Sequence, residues 1–338
     1  MSEATPQPKV YLTQRLQTPV MERVFGQYDA YCPDRKPTRD ELMEGVRGKD
    51  GLICLLTDKI RSRVIRQNPN LKVISTVSVG YDHIDVDYAT SLGIPVTNTP
   101  GVLTVTTAEH AILLMSAVGR NLIPAVTDLR RRRAKSWRLE DDYLGVDLHG
   151  STIGIVGFGK IGQEVGRIAA MGYRMNVLYY QRNELSNLKY QELGYTPKYV
   201  PLDTLLRDSD FVSVHVPKKP ETNNLIGARE LELMKRTAIL VNTSRATVVD
   251  EEALIRALEQ GVISGAGIDV FRNEPRIDRR LLKFPNFIGT PHIGSSSKVT
   301  RMNMANLAVD NLDAVILRNN PQNVVNPDYQ RHSRYARG

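Results

Sequence analysis

Residues 153–166, IGIVGFGKIGQEVG, limit what this chain can fold into more than any other stretch. An apolar run leads into Gly157, Gly159 and Gly162 at G-x-G-x-x-G spacing, and a helix-like pattern opens at Lys160. The first glycine permits a tight turn, the second lets backbone approach a pyrophosphate, and the third lets the helix pack on the strand. The helix then points its unpaired N–H groups and its dipole at the anion. Such spacing alone is a weak signal. Here a strand precedes it, a helix follows, and a second apolar strand arrives at NVLYY, residues 176–180, which is the order a dinucleotide-binding unit requires.

The end of that second strand bears on the cofactor. About twenty residues beyond the last glycine, an acid would hold the adenosine ribose and repel a 2′-phosphate. Gln181 stands there, followed by Arg182 and Asn183. A neutral side chain removes the repulsion, and a guanidinium offers a fork suited to phosphate. The strand end predicts NADP(H), with NAD(H) the weaker alternative. The bland reading is that Arg182 is only a solvated strand-end residue.

At 338 residues the chain has room for about two domains. KVYLT, GLICLL, KVISTVS and IPVTN within residues 9–98 read as buried strands, separated by helix-like segments that start at Thr or Asp. A long apolar helix is expected over 104–122. A second β-α series follows from Ser151, with strands TIGIVG, NVLYY, FVSVHV, AILVNT, GAGIDV and FIGTPHI, and a last helix over about 298–317. Alternation of this kind means parallel sheets covered by helices, so two doubly wound α/β domains are expected.

The net charge of +8 and pI near 9.4 favour anionic partners. The basic run LRRRRAKSWR, residues 129–138, carries the single aromatic Trp137 rather than an interleaved series and fits no nucleic-acid motif, so it reads as a solvated helix face. Neither nucleic acid nor membrane is an expected partner. The N-terminus lacks the order of a signal peptide, and no apolar run reaches the ~18 residues of a span. Cys32 and Cys54 form no disulfide framework and no metal spacing, which makes the cytoplasm the expected compartment and no metal site expected.

Three charged residues follow strands of the second series: Arg245 in NTSRATVVDEEAL, Glu274 in GIDVFRNEP, and His292 in GTPHIGSSS. Ligands of open α/β sheets bind outside the carboxyl ends of the strands. An arginine can hold a carboxylate or polarise a carbonyl, a histidine can exchange a proton near neutrality, and a carboxylate can orient that histidine. Each also has a structural reading. His292 can be a packed residue after proline, and Arg245 can pair with the acids at 250–252.

LLTDKI, SVGYDHID, TTAEHAILLM, DLHGSTIGIVGFGKIGQEV, HVPKKPETNNLI, NTSRATVVDEEAL, GIDVFRNEP and TPHIGSSS occur in one order over nearly the whole chain. In this the chain resembles the D-isomer-specific 2-hydroxyacid dehydrogenases, and within them the glyoxylate and hydroxypyruvate reductases. The resemblance implies a Rossmann domain over 102–298 inserted into a flavodoxin-like substrate-binding domain, 1–101 plus 299–330, with 331–338 as a tail. It implies hydride transfer between NADP(H) and a small 2-oxo or D-2-hydroxy acid in a cleft between the domains. His292 would be the proton donor, Glu274 its partner, and Arg245 the residue that binds substrate carboxylate and carbonyl. The N–H groups of Val79 and Gly80 would complete the carboxylate site, and Leu55 would line it.

Cofactor contacts implied by the resemblance are Thr107, Phe158, Lys160, Ile161, Pro217, Thr243, Ser244, Asp269 and Gly294, beside Gln181, Arg182 and Asn183. A homodimer is implied too. Residue 246 is Ala where the family usually has Gly, which is costly if that backbone needs a positive φ. His83 and Asp85 have a rival reading as acid and base; the resemblance makes them loop-shaping and capping residues. Trp137 would line the pocket or a subunit interface, and His215 would be a packed strand-end residue. The alternatives are D-lactate, D-3-phosphoglycerate, formate or phosphite dehydrogenases, of which Glu274 argues against formate. Another class is a corepressor-like protein that senses the dinucleotide.

Overall fold

A computed structural model describes residues 6–133, 139 and 143–331; Trp137 and the stretch 332–338 lie outside the described residues. The chain divides into two compact units, 1–103 together with 297–338, and 104–296. Each unit is built on one parallel sheet.

In the first unit the strands are β1 (Lys9–Leu12), β2 (Asp29–Tyr31), β3 (Gly51–Cys54), β4 (Val73–Thr76) and β5 (Val96–Thr97), in the order β2-β1-β3-β4-β5. This is the doubly wound order of flavodoxin-like domains. Strands β3 and β4 are buried at every residue, because helices cover both faces. Thr38 starts one of those helices with a capping box: the Glu41 N–H donates to Thr38 Oγ1 at 3.3 Å, and the Thr38 N–H donates to the Glu41 carboxylate at 2.8 Å. Chain from beyond the second unit completes this one. The helix Lys298–Ile316 packs on β3 and β4, and the Ser75 hydroxyl donates to the Ala308 carbonyl at 2.7 Å.

Edge strand β5 is closed by the segment after that helix. The Val325 N–H donates to the Val96 carbonyl at 2.9 Å, and the Val96 N–H donates to Asn326 Oδ1 at 2.8 Å. The Asn326 amide returns a bond to the Ile94 carbonyl at 3.0 Å. β2 has no counterpart in the sequence reading. It is three residues, DAY, with no apolar run to announce it, and among the described residues it pairs only with β1.

The second unit holds β6 (Thr152–Val156), β7 (Asn176–Tyr180), β8 (Lys198–Tyr199), β9 (Phe211–Val214), β10 (Ile239–Asn242), β11 (Gly265–Ile268) and β12 (Phe287–Gly289). Their order is β12-β11-β10-β9-β6-β7-β8, so the winding direction reverses between β6 and β9, as in Rossmann domains. The helix Thr104–Gly119 lies in the core through Ala108, Ala111, Leu114, Met115 and Val118. It stops earlier than its apolar pattern suggests. Asn121 takes the left-handed conformation at φ 47°, and a new helix, Leu122–Arg130, leaves at a bend of 66°. Glycine and asparagine are the residues that tolerate such a break. Among the described residues no single helix is long and apolar enough to cross a membrane. Arg130 to Arg133 are exposed.

Replacing Asn326 by Ala leaves the Val96 N–H buried without its acceptor. A loss of about 1–3 kcal/mol is expected, read as a lower urea midpoint at unchanged slope. An unchanged midpoint would show that β5 does not depend on this closure.

Candidate active site

The ladder of the second unit lines up its strand ends. Tyr180 pairs with Val156, Val156 with Val214, Val214 with Asn242, Asn242 with Ile268, and Ile268 with Gly289. Gln181, Gly157, Thr243 and Asp269 each follow directly in this row, and Pro217 and His292 follow within three residues. Thr107 comes instead from the helix Thr104–Gly119, which does not follow a strand of this row.

Arg245, Glu274 and His292 follow the adjacent strands β10, β11 and β12. His292 Nδ1 lies 3.0 and 3.2 Å from the two carboxylate oxygens of Glu274. The Phe271 N–H donates to the same carboxylate at 2.9 Å. Burial opposes ionisation of Glu274, but the bonds from His292 and Phe271 outweigh it and hold the carboxyl below its ordinary range. The side chains are 24% and 32% exposed, so the pair is open to a ligand. At Arg245, the Asn242 amide donates to the backbone carbonyl at 3.0 Å, while Asn242 Oδ1 accepts from the Ser244 N–H at 2.9 Å. Ala246 opens a 3-10 turn, Ala246–Val248, and is not among the residues with positive φ, so alanine carries no backbone strain there.

His292 is itself left-handed, at φ 55°, uncommon for a residue with a side chain. Asp269 holds that turn. Its carbonyl accepts the His292 N–H at 3.0 Å, and its carboxylate accepts the N–H groups of Ile293 and Gly294, each at 2.8 Å. The Thr290 hydroxyl also donates to it, at 2.6 Å, and His110 Nε2 lies 3.0 Å from Thr290 Oγ1. Sequence reasoning missed His110 and Thr290. Both stand in stretches that carry the family resemblance, TTAEHAILLM and TPHIGSSS, but spacing does not show that a helix residue meets a strand end 180 residues away. Burial acts to raise the Asp269 carboxyl, but His110, Thr290 and the Ile293 N–H together hold it below its ordinary value.

The glycine turn fits a dinucleotide. Gly157 has φ +95°, and a Cβ there would stand 2.7 Å from the His215 backbone. A Cβ on Gly162 would stand 2.2 Å from the Gly157 carbonyl oxygen, so helix and turn touch. A Cβ on Gly159 meets nothing within 4 Å, which leaves that face open to a phosphate. Phe158 is buried and stacks on Tyr179 at 4.2 Å, fixing the turn against β7, while Lys160 and Ile161 begin the helix Lys160–Tyr173. Thr243 Oγ1 is buried with no hydrogen-bond partner among the described residues, an orphan that a bound group would satisfy. Thr107 reaches Gly294, its Cγ2 lying 3.6 Å from where a Cβ on that glycine would be. Arg182 and Asn183 are exposed, and Arg182 pairs with Glu221 at 2.7 Å. His215 bonds Ser213 at 2.8 Å, and burial pushes its imidazole down.

In the first unit, Leu55 follows β3 and Val79 and Gly80 follow β4. The Leu55 N–H donates to buried Asp58 at 2.8 Å. Among the described residues the N–H groups of Val79 and Gly80 donate to no protein group. Asp85 caps the helix Val86–Ser91 by accepting the Tyr88 N–H at 3.1 Å. Among the described residues no three His, Cys, Asp or Glu side chains are placed to hold a metal ion.

Two doubly wound units, one carrying a dinucleotide turn and a histidine–carboxylate pair at the strand ends of the same sheet, define the class of dinucleotide-dependent oxidoreductases. The family model described as D-isomer specific 2-hydroxyacid dehydrogenase, NAD binding domain, matches residues 112–294. The glyoxylate reductase of Thermococcus litoralis is 42% identical over 329 residues, covering 95% of this chain and 97% of that one. A protein of Thermus thermophilus superposes with a TM-score of 0.87 at 38% identity, covering 94% of this chain and 99% of the other. An NADPH-dependent glyoxylate/hydroxypyruvate reductase of Sinorhizobium meliloti, in complex with NADP and malonate, has a TM-score of 0.82 at 31% identity, with 96% and 98% covered. The chain belongs to the D-isomer-specific 2-hydroxyacid dehydrogenases. It is an oxidoreductase with a nicotinamide dinucleotide as cofactor.

Because the Asp269 carboxyl titrates lower folded than unfolded, its contribution to stability is present above its ordinary value of 3.8 and is lost as pH falls below it. Asp269→Asn turns an NH2 toward donors and is expected to cost about 1–3 kcal/mol near neutrality. The gap from wild type should narrow in urea titrations taken progressively below about pH 4. A gap independent of pH would show that the carboxylate's charge does not hold the turn.

Proposed function

We propose that the protein reduces a short 2-oxo acid, glyoxylate or hydroxypyruvate, to the D-2-hydroxy acid with NADPH. The observation that carries this reading is the His292–Glu274 pair at the end of β12, in the same row of strand ends as the glycine turn. The bound cofactor supplies the hydride. The chain's own residues do the rest. Glu274 accepts the Nδ1–H of His292, which leaves Nε2 as the atom that passes a proton to the substrate's carbonyl oxygen. Arg245 binds the carboxylate and polarises that carbonyl, and the N–H groups of Val79 and Gly80 take the carboxylate, with Leu55 beside it. The glycine turn and the first helical N–H groups at Lys160 and Ile161 hold the pyrophosphate. Thr107, Pro217, Thr243, Ser244, Asp269 and Gly294 line the nicotinamide and adenosine contacts.

NADP(H) is favoured over NAD(H) by Gln181, Arg182 and Asn183, and by the NADPH dependence of the Sinorhizobium relative. The Arg182–Glu221 pair is exposed at 73% and 50%, so solvent screens it and it is weak. It yields readily to a 2′-phosphate. A homodimer is supported by exposed apolar side chains on two successive helices, at Leu113, Leu122, Ile123 and Leu129. Free Cys32 and Cys54 suit a reducing, cytoplasmic setting.

With glyoxylate, His292→Asn is expected to lower kcat about 10²–10⁴-fold and leave NADPH affinity within a few-fold of wild type. A near-normal rate would sink the proton-transfer role. kcat/KM with NADPH should exceed that with NADH, and Arg182→Ala should shrink the ratio; a wild-type preference for NADH would overturn the cofactor assignment. Cofactor binding without turnover of any 2-oxo acid would point to a dinucleotide sensor.

A further inference from the structure

The loop after β4 is shaped by a hydrogen-bond chain whose direction can be deduced. The Ser78 hydroxyl donates to the Gly80 carbonyl at 2.6 Å, which uses its only proton. The contact of 2.9 Å between Thr76 Oγ1 and Ser78 Oγ must then be donated by Thr76. Thr76 Oγ1 is left to accept at its 3.0 Å contact with His83 Nε2, so that nitrogen carries a proton. The chain runs one way, from the ring through two hydroxyls to the backbone of Gly80. Its members are almost wholly enclosed: Thr76 is 0% exposed, Ser78 4% and His83 7%. Hydrogen bonds aligned in this way polarise one another, and burial strengthens each.

The same loop is held on its other side. The Asn98 amide donates to the Val79 carbonyl at 2.8 Å. Both carbonyls of the pair are thus fixed by side chains, while among the described residues both N–H groups donate to no protein group. Cys54 Sγ, 4.0 Å from His83 Nε2, brings no negative charge to the ring, since burial pushes its thiol well up.

We infer that His83 is a positioning residue: through Thr76 and Ser78 it aims the N–H groups of Val79 and Gly80 at the substrate's carboxylate. The inference rests on the proposed function and adds to it a buried residue that touches no substrate. A purely structural role would lower stability and scale all activity together. A positioning role appears selectively in the KM for the 2-oxo acid.

Steady-state kinetics with glyoxylate and NADPH on His83→Leu and His83→Gln test it, with NADPH affinity read by fluorescence. Gln keeps an N–H donor near the place of Nε2. His83→Leu is expected to raise the KM for glyoxylate about tenfold or more, in line with the cost of mis-aimed groups. Its kcat should stay within about threefold and its NADPH affinity should be unchanged, and His83→Gln should recover most of the loss. A wild-type KM in His83→Leu, or no recovery by Gln, overturns the inference. If His83→Leu does not fold, Ser78→Ala decides: it cuts the last link, and a KM equal to wild type refutes the chain. Wild-type turnover of glyoxylate is the control. Its absence removes the functional reading and this inference together, whereas turnover with a KM indifferent to residues 83 and 78 removes the inference alone.

Discussion

A parallel sheet buried on both faces has nowhere to present polar chemistry except at its strand ends, and the second unit is organised by that constraint. Its ladder sets Tyr180, Val156, Val214, Asn242, Ile268 and Gly289 side by side. Whatever follows each strand is delivered to one line. Residues as distant in sequence as Gly157 and His292 therefore serve one dinucleotide enzyme, and the helices have only to keep the sheet dry.

Delivery to the line does not aim a side chain. That task falls to short polar residues at or just past the strand ends, which bond the backbone of the loops there. Asn242 folds the turn that carries Arg245, and Asp269 holds the left-handed turn of His292. In the first unit Asp58 holds Leu55, while Ser78 and Asn98 hold the carbonyls of Gly80 and Val79. The same device recurs in both units: a buried acceptor or hydroxyl fixes the backbone of a loop that carries proposed site residues. Such groups are costly to leave unpaired, so the loops they hold are pre-set before any ligand arrives.

Much of the architecture was legible because it depends on local patterns. Apolar runs such as TIGIVG and FVSVHV gave the central strands, and glycine spacing gave the turn at 157–162. Short edge strands were not legible: DAY at β2 and KY at β8 are stabilised by their neighbours and carry no periodicity. The apolar stretch at 104–122 disguised a helix break, since burial continues through Gly119 while the backbone turns at Asn121. Alanine fits at residue 246 because the 3-10 turn there asks for no positive φ. The candidate site divides in the same way. Arg245, Glu274 and His292 stand in marked motifs, whereas the contact of His110 with Thr290 and that of His83 with Thr76 exist only in three dimensions.

The central claim is that the row of strand ends holds the nicotinamide beside His292. A crystal structure with NADPH and malonate, a carboxylate ligand that cannot be reduced, tests it most directly. The account predicts His292 Nε2 within about 2.6–3.2 Å of a malonate oxygen, the pyrophosphate on the turn at Gly157–Gly162, and the 2′-phosphate against Gln181 to Asn183. A nicotinamide bound away from this row, or a His292 ring that faces no ligand, would contradict it.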